Sequence, residues 1–242
     1  MNKKYTYVWV SLIILVFGII FIPRIINRIK QGTIVESDRM SGTASPIYLE
    51  YVKDSKGNKR KVPAFEFINQ DSLVISNADY LGKVYVVEFF FTTCPTICPI
   101  MTDNLISIQD EFKDSDAFGV ASFTINPRYD TPKVLKEYAE KYGITDLDWH
   151  LLTGDREAVY NLANNGFYLG AEENDKVAGG FEHSGMFALV DKQGYIRSRK
   201  DKFGNPIIYY RGMVAEEKGV NKDGEKEQIS ILKQDIKKLL EE

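Results

Sequence analysis

The longest apolar stretch of the chain lies near its N-terminus. Between residues 8 and 22, two small residues interrupt an otherwise continuous run of apolar side chains. With residues 5–7 added, a helix through this run would be about 27 Å long, which nearly spans a hydrocarbon core of roughly 30 Å. Aromatic residues begin the run and basic residues follow it, as at the two interfaces of a membrane span. We therefore predict a single transmembrane anchor within residues 1–30, with the rest of the chain on the extracytoplasmic or periplasmic side.

A cleaved secretory signal is the alternative interpretation of this run, because the run is short and follows Lys3 and Lys4. Against it, Pro23 and Arg24 stand where a signal peptidase would need small residues. Both interpretations export the residues that follow. Residues 31–46 are polar, contain several small residues and show no period, so we predict a tether there.

From residue 47 onward, strand-like and helix-like segments alternate. Residues 84–91 and 118–125 are near-continuous β-branched and aromatic runs, which are typical of strands buried on both faces. Apolar residues three and four apart predict helices over 97–112 and 132–142. Weaker signals predict a hairpin of 47–53 and 61–67 around Gly57-Asn58, strands at 149–152, 186–190 and 195–199, and helices at 155–165 and 229–240. This alternation predicts one α/β domain over 47–242, with helices on both faces of its sheet.

Charge and composition argue against nucleic acid as a partner and against a disulfide-stapled fold. Residues 1–30 carry five basic residues and no acidic one, so the remainder has 26 basic and 34 acidic side chains and a formal charge of −8. An acidic body without a basic stripe argues against nucleic acid, because neutralisation of phosphates supplies most of that affinity. Two cysteines are too few for a disulfide-stapled scaffold, so the core must hold the fold.

Both cysteines, Cys94 and Cys98, lie within five residues of each other. They follow the strand predicted at 84–91 and begin the helix predicted at 97–112, which is where α/β sheets place their sites. The amides of a helix start lower the pKa of a thiol, and a spacing of four puts both sulfurs on one face of the first turn. The pair could close a disulfide or bind one soft metal ion. The competing interpretations are two buried free thiols or a purely structural bridge, although so short a loop would gain little stability from a bridge.

Two thiolates are an incomplete site for most metals, and the chain offers two histidines as a third ligand. His150 lies at the second position of the strand predicted at 149–152, where a surface or packing role is favoured. His183 lies in a glycine-rich segment, 179–185, which we expect to be a flexible loop before the strand at 186–190. Without further evidence, most single histidines in loops are not metal ligands.

Four segments of the chain resemble the SCO/SenC family of membrane-anchored copper-handling proteins. They are FFFTTCPTICPIMTDNL, NPRYDTPKVLKEYAEKYG, the LTGD after Trp149, and EHSGMFALVDKQGYIRS, and they arrive in the order and spacing of the family. The resemblance covers roughly residues 60–200 and the terminal helix. It implies a thioredoxin-like sheet with flanking helices, in which Cys94, Cys98 and His183 bind copper.

The resemblance also implies a function, namely a copper chaperone for the assembly of cytochrome c oxidase. Two thiolates and one imidazole suit Cu(I), with Cu(II) as an alternative, whereas structural zinc usually takes four ligands. We expect copper to pass to the dinuclear copper site of the oxidase's second subunit, or the thiols to reduce that site's cysteines. The other expected partners are the membrane, a copper donor and a thiol reductant. Such a protein is a carrier rather than an enzyme, unless Cys94 and Cys98 act as redox-active thiols in a thiol–disulfide reductase.

Some features depart from the family or favour other functions. Asn126 stands where the family usually has an acid, whereas Asp130 matches, and residues 216–228 form a charged stretch that we expect to be a solvated loop. The main alternative is a membrane-tethered thiol–disulfide oxidoreductase or thiol peroxidase. The CxxxC spacing, and the absence of a proline just before residue 186, argue against it. A tethered interaction module with an incidental disulfide is the third class, and it predicts that either cysteine is dispensable in cells.

Overall fold

The computed structural model describes residues 15–17, 19, 21–22, 49–201 and 203–242. The chain divides into two compact units, residues 1–46 and 47–242. In the first unit, the described residues are helical with exposed apolar side chains, and the rings of Phe17 and Phe21 stack with their centroids 4.1 Å apart. Across the described residues, no helix has the length and apolar character needed to cross a membrane. Most of the predicted anchor and the tether at 31–46 lie outside the described residues, so both stay predictions.

The second unit alternates strands and helices as the sequence predicts. Its described strands are β1 (Leu49–Tyr51), β2 (Glu66–Ile68), β3 (Val74–Ser76), β4 (Val84–Phe90), β5 (Phe118–Thr124), β6 (Trp149–Leu152), β7 (Ala171–Glu173), β8 (Phe181–His183), β9 (Met186–Val190), β10 (Ile196–Arg199) and β11 (Tyr210–Arg211). Its described α-helices are α1 (Cys98–Phe112), α2 (Pro132–Tyr142), α3 (Arg156–Asn161), which continues as a π-helical turn at Leu162–Phe167, and α4 (Ile229–Glu241). Two 3-10 turns, Asn77–Tyr80 and Glu216–Lys218, complete the described elements.

A mixed sheet in the order β1-β10-β9-β4-β5-β6 forms the centre of this unit, and β11 adds to β9. Strands β4, β5 and β6 are parallel, while β9 runs antiparallel to β4. Every residue of β4 and of β5 is buried, which fits their near-continuous apolar sequences. The α/β class is therefore confirmed. The carboxyl end of β4, a central strand, leads directly toward Cys94.

Helix α2 shows how local signals set an element's bounds. The hydroxyl of Thr131 accepts a hydrogen bond from the Val134 amide, which satisfies one of the free donors of the first turn. Pro132 occupies that turn without loss, since its missing N–H would have no partner there. Gly143 ends the helix with φ +72°, a conformation that costs glycine little. Both ends lie where the sequence predicts them.

The predicted hairpin around Gly57-Asn58 is correct only at its turn. Lys53 and Lys59 form an antiparallel bridge, and the Arg60 amide donates to the Val52 carbonyl at 2.8 Å. Beyond that point, β1 pairs with β10, and β2 pairs with β3. The prediction fails there because β10 offers β1 an antiparallel partner within the main sheet.

The charged stretch 216–228 is not a simple solvated loop, and that expectation was wrong. The Glu216 carboxylate accepts hydrogen bonds from the Lys233 ammonium group of α4 at 2.8 Å and from the Ser107 hydroxyl of α1 at 2.7 Å. One carboxylate oxygen of Glu227 accepts from the amides of Ile229 and Ser230, which caps the start of α4. The stretch therefore joins α1 to α4.

Candidate metal centre

The two cysteines lie where β4 ends and α1 begins. Cys98 is the first residue of α1, and its amide donates to the Cys94 sulfur at 3.4 Å. The Thr96 hydroxyl lies 3.6 Å from the same sulfur. Cys94 is 8% exposed and Cys98 is 1% exposed, so one edge of the pair meets solvent through Cys94.

His183 reaches this pair from far along the chain. It is the last residue of β8, and its Nε2 lies 3.3 Å from the Cys98 sulfur. The ligand atoms of Cys94, Cys98 and His183 all lie within 4.8 Å of one another, and no other group of this kind occurs among the described residues. The structure thus brings together the three residues that the sequence analysis singles out, while their ligand role stays a prediction.

The segment that carries His183 contains a strand, where the sequence predicts a loop. Residues 181–183 pair with β7 as a strand, and Ala171 stands opposite His183. The Phe181 ring packs on the Phe91 ring with centroids 5.1 Å apart, and the imidazole of His183 stands edge-on to Phe91 at 6.0 Å. Sequence reasoning missed β7 and β8, because three-residue strands carry almost no periodic signal. Their pairing fixes the imidazole beside the sulfurs.

Gly179 lets the connection between β7 and β8 lie close to the cysteine segment. It adopts φ +90°, and a Cβ there would stand 2.9 Å from the Phe91 ring and 3.1 Å from Cδ of Pro95. Any side chain would therefore be strained and would press against the residues around Cys94. This close approach holds β8 next to the start of α1.

The two thiols share their protons unequally. The hydrogen bond with Cys98 lowers the pKa of Cys94 well below its ordinary value, with smaller contributions from His183 and from the amides of Cys98 and Thr96. That same interaction, together with burial, raises the pKa of Cys98. In the absence of metal, the negative charge therefore resides on Cys94, the more exposed sulfur.

This asymmetry predicts selective alkylation. With limiting iodoacetamide at pH 6, we expect Cys94 of the reduced full chain to react at least about tenfold faster than Cys98, because the thiolate is the nucleophile. Mass spectrometry of the digested protein measures both rates. In a Cys94→Ser variant, Cys98 should stay unmodified until denaturant is added, since it is buried in α1. Faster labelling of Cys98 in the native protein would contradict the assignment.

Asp130 supports the segment that precedes Cys94. Its buried carboxylate accepts a hydrogen bond from the Thr92 amide at 3.1 Å and short ones from the hydroxyls of Thr92 and Thr124. Burial raises the pKa of Asp130, and the hydrogen bonds from Thr124 and Thr92 oppose that rise. Asn126, by contrast, donates its backbone amide to the Thr124 hydroxyl at 3.0 Å. Asp130 therefore ties the cysteine segment to the end of β5.

His150 has the packing role that its sequence position favours. It lies on β6, its Nδ1 is 3.2 Å from the Asn69 side-chain nitrogen, and its ring meets Tyr80 edge-on at 5.7 Å. Burial lowers the pKa of His150. The metal-ligand cluster found among the described residues does not include it.

Glu88 is a buried acid that sequence reasoning missed, because it stands inside the apolar run of β4. Its Oε1 accepts a hydrogen bond from the Ser122 hydroxyl at 2.7 Å, and that hydroxyl accepts one from the Trp149 indole at 3.0 Å. Its Oε2 is buried and has no hydrogen-bond partner within the part of the chain that the structure describes. Burial raises the pKa of Glu88 to about 7. A buried acid without full hydrogen bonding is neutral over much of the pH range.

The donor set fits a soft metal ion. Two sulfurs and one imidazole nitrogen stand within reach of one ion, and the set contains no carboxylate, which harder cations prefer. Beside them, a cleft of about 200 Å³ is lined by Phe91, Cys94, Thr96, Ile97, Val177, Ala178, Phe181, Glu182 and His183. Three protein ligands would leave one side of a bound ion open to an incoming ligand.

Comparisons with known proteins place the chain among relatives of similar sequence and fold. A model of the SCO1/SenC family matches residues 53–214. The SCO1 protein homolog of Bacillus subtilis is 37% identical over 95 residues, which cover 39% of this chain and 49% of the relative. The chain thus spans about half the length of that protein.

Solved structures agree with the sequence comparison. A SCO1/SenC family lipoprotein from Bacillus anthracis is 26% identical with a TM-score of 0.61, covering 74% of this chain and 95% of that one. BsSco, described as a member of the Sco family of cytochrome c oxidase assembly proteins, is 24% identical with a TM-score of 0.59, covering 81% and 98%. These likenesses confirm the thioredoxin-like α/β fold that the resemblance implies.

Proposed function

The chain belongs to the SCO1/SenC family, and we propose that it carries copper for the assembly of cytochrome c oxidase. Its copper ligands are Cys94, Cys98 and His183. The observation that carries this proposal is the convergence of the three ligand atoms within 4.8 Å, although His183 is 85 residues from Cys98. Copper is the cargo, and the soft donor set favours Cu(I).

The chain's own groups prepare this site for a cation. The negative charge on Cys94 already faces the cleft, and Cys98 must release its proton when the ion binds. Protonation competes with the ion for these groups, so affinity weakens as the pH falls. Burial of Cys98 shields that sulfur from solvent, while the side lined by Cys94 admits the partner's ligand.

The cellular setting completes the proposal. The residues after the predicted anchor lie on the extracytoplasmic or periplasmic side. Copper arrives from a donor protein and leaves for the dinuclear copper site of the oxidase's second subunit, and a thiol reductant keeps Cys94 and Cys98 reduced. The exposed apolar side chains at positions such as Phe17 and Ile19 support contact of the N-terminal segment with a membrane.

A membrane-tethered thiol–disulfide oxidoreductase is the second candidate function. The stabilised thiolate of Cys94 favours it, because a low-pKa thiol that is partly accessible is the usual attacking group of such enzymes. Such an enzyme needs both sulfurs but does not need an imidazole ligand. The two functions therefore differ in what they require of His183.

Complementation of cells that lack this chain tests the proposal. We expect the wild type and His150→Ala to restore cytochrome c oxidase activity, whereas Cys94→Ser and His183→Ala leave less than about a tenth of it. Immunoblots of membranes must show equal amounts of each variant. Restoration by His183→Ala but not by Cys94→Ser would favour the oxidoreductase, and restoration by both would indicate that the site has no role in oxidase assembly.

A further inference from the structure

Strand β8 has a paired side and a free side. In an antiparallel pair, successive residues turn their N–H and C=O groups alternately toward the partner and away from it. Ala171 of β7 turns away from β8, because its N–H and C=O bond to the Asn164 side chain at 2.9 and 3.0 Å. One position along the register, the backbone N–H and C=O groups of Glu172 and Glu182 therefore point toward each other. The bond from the Asn174 amide to the Gly180 carbonyl, at 2.9 Å, follows the same alternation.

This register leaves Phe181 and His183 with backbone groups that point away from β7. Each of these two residues contributes one N–H donor and one C=O acceptor. The two residues are two positions apart along the strand. No hydrogen bond joins these four groups to any other residue that the structure describes. A free strand edge of this kind is a template for another extended chain, which can satisfy all four groups.

The free edge and the cysteine turn open onto the same space. Phe181, Glu182 and His183 line one cleft together with Cys94 and Ile97. Apolar side chains form much of its wall. A chain paired with β8 would therefore lie along the cleft into which the Cys94 sulfur is exposed.

We propose that the outer edge of β8 docks an extended segment of the copper-receiving protein, which adds to β8 as a strand and presents a cysteine to Cys94. An extended segment fits because the unpaired groups recur every second residue, which is the period of a strand. A cysteine fits because a soft ion leaves two thiolates most readily for another soft donor. The role in copper transfer rests on the proposed function, whereas the docking needs only the strand edge and Cys94.

A synthetic peptide tests the docking without metal. The probe is acetyl-Thr-Val-Thr-Cys-Thr-Val-Thr-amide, with its cysteine held as a disulfide to thionitrobenzoate, and the protein is the full chain with Cys98→Ser. The Cys94 thiolate attacks the peptide sulfur, so that a Cys94–peptide disulfide forms, the old disulfide breaks, and the thionitrobenzoate anion leaves. Absorbance of that anion gives the rate. Two control peptides carry N-methyl groups on one or the other set of alternate residues, which blocks one edge of the added strand at a time.

We expect one of the two methylated peptides to react about tenfold more slowly than the unmodified peptide, because it loses the backbone hydrogen bonds to β8. In the trapped complex, the amides of Phe181 and His183 should exchange hydrogen at least about tenfold more slowly than in a complex with 2-mercaptoethanol. The Glu182 amide, which faces β7, serves as the internal control and should not change. Equal rates for all three peptides, or unchanged exchange at Phe181 and His183, would overturn the proposal. Because this reaction involves no copper, its outcome is independent of the complementation experiment that tests the proposed function.

Discussion

Replacement of His183 by alanine is expected to weaken Cu(I) binding by at least about a hundredfold. The loss of a group that merely orients a ligand already costs about ten- to a hundredfold in metal affinity, and His183 would contact the ion itself. Its Nε2 lies 3.3 Å from the Cys98 sulfur and within 4.8 Å of the Cys94 sulfur, and the cluster found among the described residues contains no ligand besides these three. Titration of the reduced full chain with Cu(I) against a competing chelator measures the dissociation constant.

The chain supplies its own control in His150→Ala. The imidazole of His150 projects from β6 and contacts Asn69 and Tyr80. It is not part of the Cys94–Cys98–His183 cluster. We expect this variant to bind one copper ion per chain with an affinity within about threefold of the wild type. Circular dichroism of both variants checks that the fold is retained. Wild-type affinity in His183→Ala would contradict the ligand assignment and leave the dithiol as the binding unit.

The elements that position the cysteines could be predicted from the sequence because their signals are local. The two strands β4 and β5 are long apolar runs that bury both faces, and helix α2 has a cap, a proline and a glycine at its ends. Cys94 and Cys98 come soon after β4 in the chain. A strand-to-helix junction is enough to predict a reactive pair there.

The position of His183 could not be derived in the same way, because it depends on contacts between distant segments. Strand β8 is held by β7 over three residues, and β7 is held in turn by the side chain of Asn164. None of these contacts leaves a period or a turn signature that identifies it in the sequence. The family resemblance implied the ligand, and the structure supplies the physical reason that the imidazole stands beside the sulfurs.

The sequence pattern also gave no sign that two acids near the site, Glu88 and Asp130, are buried. An acid within an apolar run looks like one polar position among many, and its burial becomes visible only when the sheet is assembled. Glu88 and Asp130 are both buried, yet their surroundings differ. Asp130 accepts three hydrogen bonds, two from Thr92 and one from Thr124, whereas Glu88 accepts one from Ser122. Asp130 is therefore a positioning group. Glu88 lacks a full set of hydrogen bonds, so we expect its titration to change the stability of the fold.

Glu88 is expected to make the free energy of unfolding fall by about 3 kcal/mol between pH 4.5 and pH 8. Burial raises its pKa in the folded chain to about 7 from a reference value of 4.5. Below pH 4.5 both states hold the proton. Between the two pKa values the unfolded chain releases the proton while the folded chain keeps it, so stability is lost as the pH rises. Above pH 7 both states are ionised and the loss is complete.

A Glu88→Gln variant removes this titration, so the difference in unfolding free energy between wild type and variant isolates it. Chemical denaturation of the two full chains at pH 4.5, 6 and 8 measures that difference, and titrating groups common to both proteins cancel. Glu66→Gln is the matched control, because this side chain is exposed on β2 and surface substitutions usually change stability by less than about 0.5 kcal/mol. Parallel curves for the wild type and Glu88→Gln would show that Glu88 has the same pKa in the folded and unfolded chains, which would contradict the prediction. A difference that falls steadily up to pH 7 would instead establish a neutral acid in the strand that leads to Cys94.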